Sequence, residues 1–317
     1  RHGAAPARGA RGAAAAGRRV VTVAVAAGFS TRVRRGEPLS RHTSWHVGGP
    51  AEVFFNPRDR TELAAFLRGL PEGVPICWIG LGSNLLVRDG GLPGVVISTH
   101  GTLDSLERLS ETQVRAGAGV ACARLARQCI KWGLGPAEFF AGIPGTLGGA
   151  LAMNAGAFGG ETWQHVLSLE TIDRHGKERM RDASEYQVGY RTVDAPAPEE
   201  WFISATLGFE HRPGAHADEV RSLLARRKES QPIGEWSCGS VFTNPPGDHA
   251  ARLIEAAGLK GFRMGDASVS QKHANFIINH GTARAADLER LIEHVRSTVE
   301  RVHGVSLHPE VRIVGVP

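Results

Sequence analysis

The alternation of apolar and polar residues in the first third of the chain predicts a strand, a helix and a second strand. Residues Ala51–Phe55 are strand-like, and Asp59 is placed to open a helix, because aspartate is a favoured N-cap. The apolar face of that helix consists of Leu63, Phe66 and Leu67. The apolar run Ile76–Ile79 predicts a buried strand that ends in a glycine-rich turn.

The pattern of apolar and polar residues changes twice beyond residue 97. A helix is predicted up to Gly133, since a glycine just past the last periodic residue is typical of a helix end. The last third has three helical patterns, of which the longest spans Leu288–Val302. The predicted strands are Leu167–Asp173, Phe202–Glu210, Ala274–Ile278 and Val305–Val314. These changes predict domains at residues 20–97, 98–212 and 213–317.

Residues 1–19 are low in complexity and are predicted to be a disordered tail. An alternative interpretation joins Arg18, Arg19 and the apolar run Val20–Phe29 into a secretory signal. The run is short and no clear cleavage site precedes the folded body, so we expect a cytoplasmic protein. No later segment has the roughly 20 apolar residues that a membrane span requires, and no membrane partner is expected.

Composition and charge narrow the class of protein. A hydrophobic fraction of 42% and a charged fraction of 22% are those of an ordinary globular protein. The net charge of +5 arises in residues 1–36, which hold eight arginines and no acidic residue; the remaining residues carry 29 Lys and Arg against 32 Asp and Glu. A basic stripe for nucleic acid is therefore not supported. The four cysteines form no CxxC pair and are expected to be free thiols, and no metal site is predicted.

The stretch Gly142–Gly160 reads GIPGTLGGALAMNAGAFGG and contains seven glycines in nineteen residues. Glycine is used where the backbone takes positive φ or comes close to another group. Two interpretations remain open from the residues alone. The stretch either forms a backbone wall for a planar ligand or is a set of close-packed turns with no ligand.

Three further stretches and one arginine carry candidate chemistry, each beside a plainer structural interpretation. The turn Gly80–Asn84 offers backbone N–H groups to an anion such as a diphosphate, or it is only a capped strand turn. Ser240 is a candidate proton donor or a turn serine. Glu310 either faces water or is buried with a raised pKa for acid chemistry. Arg191 is a surface residue by default and a carboxylate clamp if it lines a site.

These stretches together resemble one enzyme family, the UDP-N-acetylenolpyruvoylglucosamine reductases, flavoenzymes of peptidoglycan precursor synthesis. The matching runs occur in the family's order between Glu37 and Val314. They are EPLSRHTSWHVGGPAEVFF, GLGSNLLVRDGGLPGVVI, GLGPAEFFAGIPGTLGGALAMNAGAFGGE, GYR, SQP, GSVFTNP, LIEAAGLKG, SQKHANFIIN and PEV.

The resemblance implies an α+β, three-domain FAD-binding fold of the vanillyl-alcohol-oxidase type with a C-terminal α+β substrate domain. It implies non-covalent FAD, NADPH as the donor, and reduction of an enolpyruvyl ether of UDP-N-acetylglucosamine to UDP-N-acetylmuramate. The implied catalytic residues are Arg191, Ser240 and Glu310. Gly82, Ser83 and Asn84 fall on the FAD diphosphate with Gly80 and Leu85 beside them, and Gly145, Thr146, Gly148, Gly149 and Asn154 lie along the flavin.

The resemblance implies Tyr190 as a substrate contact, and Asn244 is a further candidate. Arg227 and Lys228 are candidates for covering the substrate diphosphate. The short interval from Tyr190 to Gln231 leaves little room for the substrate-covering loop of one subtype, so the shorter, second subtype is expected. We expect a monomer. Two other functions stay open at this point: an alcohol or phenol oxidase on the same fold, and a flavin- or nucleotide-binding regulator without catalysis.

Overall fold

The computed structural model describes residue 29 and residues 31–214 and 217–317. The tail predicted for residues 1–19 and the alternative signal run lie outside the described residues, except for Phe29. The ring of Phe29 packs edge-on against Phe55 and Phe66, with ring centroids 5.9 and 5.4 Å apart.

The described residues form twenty strands and six α-helices. The strands are β1 (Val33–Pro38), β2 (Pro50–Phe55), β3 (Ile76–Ile79), β4 (Leu85–Val87), β5 (Leu92–Ser98), β6 (Leu106–Arg108), β7 (Gln113–Gly117), β8 (Leu134–Gly135), β9 (Gly156–Ala157), β10 (Gly160–Glu161), β11 (Val166–Asp173), β12 (Glu178–Asp182), β13 (Gln187–Gly189), β14 (Thr192–Asp194), β15 (Glu200–Gly208), β16 (Glu210–His211), β17 (Arg263–Met264), β18 (Ala267–Val269), β19 (Ile277–Asn279) and β20 (Arg312–Val314). The helices are α1 (Arg60–Arg68), α2 (Cys122–Lys131), α3 (Leu147–Leu151), α4 (Ala217–Ser230), α5 (Ala250–Ala256) and α6 (Ala285–His303), with short 3-10 helices at Leu39–Arg41, Glu138–Gly142, Thr162–His165 and Ala183–Glu185.

The first sheet has the order β1-β2-β5-β3, with β2, β5 and β3 parallel to one another. Helix α1 begins after Asp59, whose side chain accepts a hydrogen bond from the Glu62 backbone N–H at 2.8 Å, as an N-cap does. Leu63, Phe66 and Leu67 are buried. The helix and the strand Ile76–Ile79 predicted here are therefore confirmed.

The second sheet has the order β12-β11-β15-β7-β6 and is antiparallel throughout. Helix α2 covers it with Leu125 and Cys129 fully buried, and the chain leaves the helix through Gly133 at φ 69°. This position of Gly133 confirms the predicted helix end. The strands predicted at residues 167–173 and 202–210 correspond to β11 and β15, each within two residues.

The last third packs α5 and the long α6 against the three-stranded sheet β17-β18-β19. Helix α6 ends at Gly304, which has the left-handed φ of 67° that favours glycine. Trp45 belongs to the same core although it lies far earlier in the chain, and its Nε1 donates to the Ile277 carbonyl at 2.8 Å. The predicted domain limits stay a prediction.

Two predicted strands in this part were too long. The strand expected at residues 305–314 is only Arg312–Val314, because Pro309 has no N–H to give to a ladder and the segment before β20 meets Phe242 through a single bridge. The strand expected at residues 274–278 is Ile277–Asn279, since the chain turns between His273 and Phe276.

Strand β20 does not join the sheet of the last third. It pairs in parallel with β4, so that Arg312 lies opposite Leu85 and Val314 opposite Val87. The closing segment is thereby hydrogen-bonded beside the turn that follows β3.

Candidate active site

A cavity of about 1440 Å³ is lined by residues from the first, middle and last thirds of the chain. Its walls come from the turn after β3, the glycine-rich stretch, the β13–β14 hairpin tip, α4, the segment before α5 and the residues before β20. Of the described residues, four arginines and two glutamates line it. The lining is therefore net positive, which suits an anionic ligand.

The turn after β3 is fixed from two sides. Gly82 has φ 61°, and a Cβ there would overlap the His42 carbonyl, so only glycine fits. The Asn84 amide donates to the Glu310 carbonyl at 3.0 Å and to the Met153 sulfur at 3.2 Å. Asn84 thus ties this turn to the closing segment as well as lining the cavity.

The glycine-rich stretch divides into two kinds of position. A Cβ at Gly142 would lie 2.6 Å from the Phe158 ring, and one at Gly160 would lie 2.6 Å from the Phe139 ring. A Cβ at Gly148 would lie 3.0 Å from the Ala118 Cβ. These three glycines are therefore closely packed against neighbouring side chains, although Gly142 and Gly148 also line the cavity.

Gly145 and Gly149 differ from these, because a Cβ there would meet nothing closer than 3.3 Å and 3.8 Å. Both line the cavity. Gly145 directly precedes Thr146, and Gly149 lies within α3. The backbone of α3 is anchored by hydrogen bonds such as that from the Gly148 N–H to the Ala118 carbonyl at 2.8 Å. A side chain at either position would fill the cavity. The two glycines therefore form a rigid backbone wall.

Thr146 lies beside these glycines in the cavity lining. Its hydroxyl is buried and has no hydrogen-bond partner among the described residues, and a Cβ at Gly80 would overlap it. A flat, polar-edged group can lie against such a wall, while the turn at Gly82 and Ser83 supplies donors at its edge. The residues present therefore fit FAD.

Arg191 occupies the tip of the β13–β14 hairpin. Its two terminal nitrogens donate to the carbonyls of Asn154 and Gly156, each at 3.1 Å. Its Nε lies 3.3 Å from Oε1 of Glu310, an ion pair without hydrogen-bond geometry. Arg191 has φ 57°, a left-handed backbone unusual for a non-glycine residue, and such strain is concentrated at functional sites.

Glu310 faces Arg191 from the closing segment, and its backbone N–H donates to the Val241 carbonyl at 2.8 Å. Its side chain is 15% exposed. The pKa of the Glu310 carboxyl is raised, because burial disfavours the charged form and Arg191 offsets that effect only in part. The nearby Cys238 thiol has its pKa raised well above the usual value by burial and by the Glu310 charge.

Ser240 lines the cavity at the start of a segment held by Asn275. The buried Asn275 side chain accepts from the Phe242 N–H at 3.0 Å and donates to the Phe242 carbonyl at 2.8 Å, and its backbone carbonyl accepts from Val241. Asn275 therefore fixes the backbone between Ser240 and the strand bridge to Pro309. Asn275 was not among the predicted site residues, and its only signal in the sequence was its place in the run SQKHANFIIN.

Nearly all the predicted site residues line this one cavity. They are Gly80, Gly82, Ser83, Asn84, Leu85, Gly145, Thr146, Gly148, Gly149, Tyr190, Arg191, Arg227, Ser240, Asn244 and Glu310. Asn154 is 2% exposed and lies behind the wall, and Lys228 is exposed and does not line the cavity. Sequence reasoning missed Arg226 and Arg312, which line the cavity and carry no motif signal.

The described residues contain neither a membrane-spanning helix nor a cluster of metal ligands. No helix there is both long and apolar enough to cross a membrane. No cluster of three or more His, Cys, Asp or Glu side chains there is arranged to hold a metal ion.

Comparison with known proteins decides the family. Residues 231–314 match the family described as UDP-N-acetylenolpyruvoylglucosamine reductase, C-terminal domain, and residues 51–180 match the FAD binding domain. The UDP-N-acetylenolpyruvoylglucosamine reductase of Alkalilimnicola ehrlichii is 62% identical over 286 residues, which cover 89% of this chain and 95% of that protein. The chain belongs to the UDP-N-acetylenolpyruvoylglucosamine reductase family.

Two further relatives of the UDP-N-acetylenolpyruvoylglucosamine reductase family agree. The reductase of Methylococcus capsulatus is 55% identical over 88% of this chain and 92% of its own length. The crystal structure of the Thermus caldophilus reductase matches with a TM-score of 0.76 at 33% identity, covering 89% of this chain and 98% of that one. The predicted α+β fold with an FAD-binding domain of the vanillyl-alcohol-oxidase type is confirmed. The chain is an FAD-dependent oxidoreductase, as predicted.

Proposed function

We propose that this chain uses NADPH and FAD to reduce the enolpyruvyl ether of UDP-N-acetylglucosamine enolpyruvate to UDP-N-acetylmuramate, with Arg191, Ser240 and Glu310 as its catalytic residues. Family membership supports the reaction. One structural observation carries the residue roles. The three side chains, from separate parts of the chain, line the same cavity as the glycine wall.

FAD supplies hydride transfer when bound, from NADPH to the methylene carbon of the enolpyruvyl group. Hydride arrival at that carbon places negative charge on the adjoining carbon and its carboxylate. Arg191 contributes a fixed positive charge there, since two carbonyls already hold its guanidinium. A protonated Glu310 donates a hydrogen bond to the same charge, and each such donor is worth a few kcal/mol, about 3 kcal/mol in measured cases.

Ser240 completes the reaction by giving its hydroxyl proton to the carbon next to the carboxylate. That step forms a C–H bond and sets the configuration of the lactyl ether. The serine then regains a proton from solvent. A proton donor needs only to face the reacting carbon, so no strained nucleophile turn is required.

The Ser240→Ala variant separates the two half-reactions. Bleaching of the flavin absorbance by NADPH stays at the wild-type rate, because Ser240 takes no part in that step. Recovery of the absorbance on adding the enolpyruvyl sugar nucleotide slows by about 10²- to 10⁴-fold, the usual contribution of a general acid. Anaerobic stopped-flow absorbance measures both phases.

Ser237→Ala is the matched control, since Ser237 lies three residues earlier and does not line the cavity. It reoxidises at the wild-type rate. If Ser240→Ala did the same, the role proposed for Ser240 would be wrong.

The proposal includes Tyr190, Asn244 and Arg227 as substrate contacts, supported by their place in the cavity lining. Lys228 lacks that support. It also includes a monomer that works in the cytoplasm. Free thiols at Cys77, Cys122, Cys129 and Cys238 support a reducing compartment.

A further inference from the structure

Asn154 adopts a left-handed backbone conformation, which asparagine does not by itself require. It has φ 46°, and the residue is 2% exposed. In this conformation its carbonyl accepts a hydrogen bond from Arg191 Nη1 at 3.1 Å. The left-handed turn at Asn154 thus places one of the two carbonyls that hold the Arg191 guanidinium.

The Asn154 side chain is fully engaged behind the wall. Its amide nitrogen donates to Glu161 Oε2 at 2.9 Å and to the Gly189 carbonyl at 3.1 Å, and its amide oxygen accepts from the Trp163 N–H at 3.1 Å. Both amide hydrogens are therefore used within the protein. None is left for a ligand in the cavity.

The bond to Gly189 matters because of where that residue lies. Gly189 pairs with Thr192, so Tyr190 and Arg191 form the two-residue tip of the β13–β14 hairpin. This hairpin is a separate two-stranded sheet, and two strands alone are marginally stable in water. Asn154 holds the hairpin at its last paired residue and the guanidinium at its tip.

We propose that Asn154 is a positioning residue, which holds Arg191 against Glu310, in place of the flavin contact that the sequence predicts. This inference rests on the proposed function, because it assumes that Arg191 acts in the reduction. It assigns Asn154 an effect on the second half-reaction and none on FAD binding.

The charge environment of Glu310 supplies an independent readout. The titratable groups that face its carboxyl are Arg191, from the hairpin, and the Cys238 thiol. Arg191 favours the ionised carboxylate, so a displaced guanidinium raises the pKa of Glu310 further. Since the protonated carboxyl is the active form, the fall in reoxidation rate at high pH moves to higher pH.

The experiment uses the holoenzyme variants Asn154→Ala and Asn154→Gly. Glycine keeps the left-handed backbone without strain and loses only the amide, so it separates the side chain from the turn. Loss of a well-placed charged donor slows flavin reoxidation by substrate about 10- to 100-fold. The high-pH limb of the reoxidation rate moves to higher pH. The FAD dissociation constant, measured by fluorescence titration of the apoprotein, stays within about twofold of the wild-type value.

A double-mutant cycle with Arg191→Ala tests whether Asn154 acts through Arg191. Asn154→Gly then slows the Arg191→Ala enzyme no further, because residues that act as one unit are not additive. The control is Asn56→Ala, which removes a similar amide bonded to two carbonyls, at 3.1 Å each, away from the cavity. Its reoxidation rate and pH profile match the wild type.

Fully additive effects in the cycle would overturn the proposal, and so would an FAD dissociation constant raised tenfold with an unmoved pH limb. If Asn154→Ala fails to fold, the glycine variant gives the same readouts. The Arg191→Ala arm tests the proposed function separately. Wild-type reoxidation by Arg191→Ala would refute the catalytic role of Arg191, whereas a slow Arg191→Ala enzyme with additive Asn154→Gly would refute only the positioning role.

Discussion

Burial makes the carboxylate form of Glu310 less favourable in the folded protein than in the unfolded chain. Its pKa is raised by burial, and the ion pair with Arg191 does not reverse the shift. A group whose folded-state pKa exceeds its unfolded value contributes stability at low pH that is lost as pH rises through the folded pKa. The carboxylate form of Glu310 therefore makes the fold less stable at neutral pH than at acid pH.

Replacing Glu310 with Gln is expected to stabilise the protein at pH 8, because glutamine has no charge to desolvate. At pH 4 the gain shrinks, since Glu310 is then neutral as well. Thermal unfolding at both pH values measures the difference. A lower melting temperature at pH 8, compared with the wild type, would show that the pair with Arg191 outweighs burial.

The sequence could predict which residue types meet at this site and could not predict their contacts. Arg191, Ser240 and Glu310 were found through their motifs, and all three line the cavity. The bonds between Asn154 and Arg191 depend on a left-handed backbone and on a hairpin 37 residues later in the chain. No local pattern encodes such a contact.

Helix α4 turns one face to the cavity. The residues that line it are Leu223, Arg226, Arg227 and Ser230, at the spacing of one helical stripe. Arg227 donates to the Gly142 carbonyl and, at 2.7 Å, to Gln231 Oε1, and burial lowers the pKa of its guanidinium. Neither partner is anionic, so its charge remains available to an anionic ligand.

Arg227→Gln is expected to weaken UDP binding to the holoenzyme by about 10- to 100-fold, because hydrogen bonds to charged groups contribute about 1.5–3 kcal/mol. Lys228→Gln, one position along and outside the cavity lining, changes binding by about twofold at most. Titration calorimetry at fixed salt compares the two variants. Equal losses would mean that net charge on α4, and not the cavity face, governs binding.

Among the helices and strands, the sequence predicted the long periodic elements well and the short ones poorly. Helices α1, α2 and α6 were predicted from apolar spacing, together with Asp59 at the start of α1 and Gly133 at the end of α2, which are local properties. The strand expected at residues 305–314 was wrong in length, because Pro309 and the pairing of β20 with β4 decide where it begins. That pairing joins residues more than 200 positions apart.

The whole molecule is built around a cavity and not around one core. The described residues form four buried apolar clusters, and the cavity is lined by residues from every predicted domain. A ligand that contacts residues of all these domains adds interactions that the protein alone does not make. FAD is therefore expected to contribute to the stability of the fold as well as to the chemistry.

Removal of FAD is expected to lower the melting temperature by about 5 °C when compared with protein at 100 times its dissociation constant. Binding at that concentration contributes about 2.7 kcal/mol, and each kcal/mol shifts the midpoint of a large domain by about 2 °C. Differential scanning calorimetry of apoprotein, before and after adding FAD, makes the measurement. An unchanged midpoint after FAD addition would contradict the expectation.

The pairing of β20 with β4 also sets an order of events during synthesis. Of the three proposed catalytic residues, Glu310 leaves the ribosome last, after the glycine wall, the hairpin tip and Ser240 have emerged. Every growing chain thus passes through a stage in which the turn after β3 has been synthesised and β4 still lacks its neighbour. Glu310, which we propose as an acid, and the strand that fastens its segment arrive together, in the same few residues.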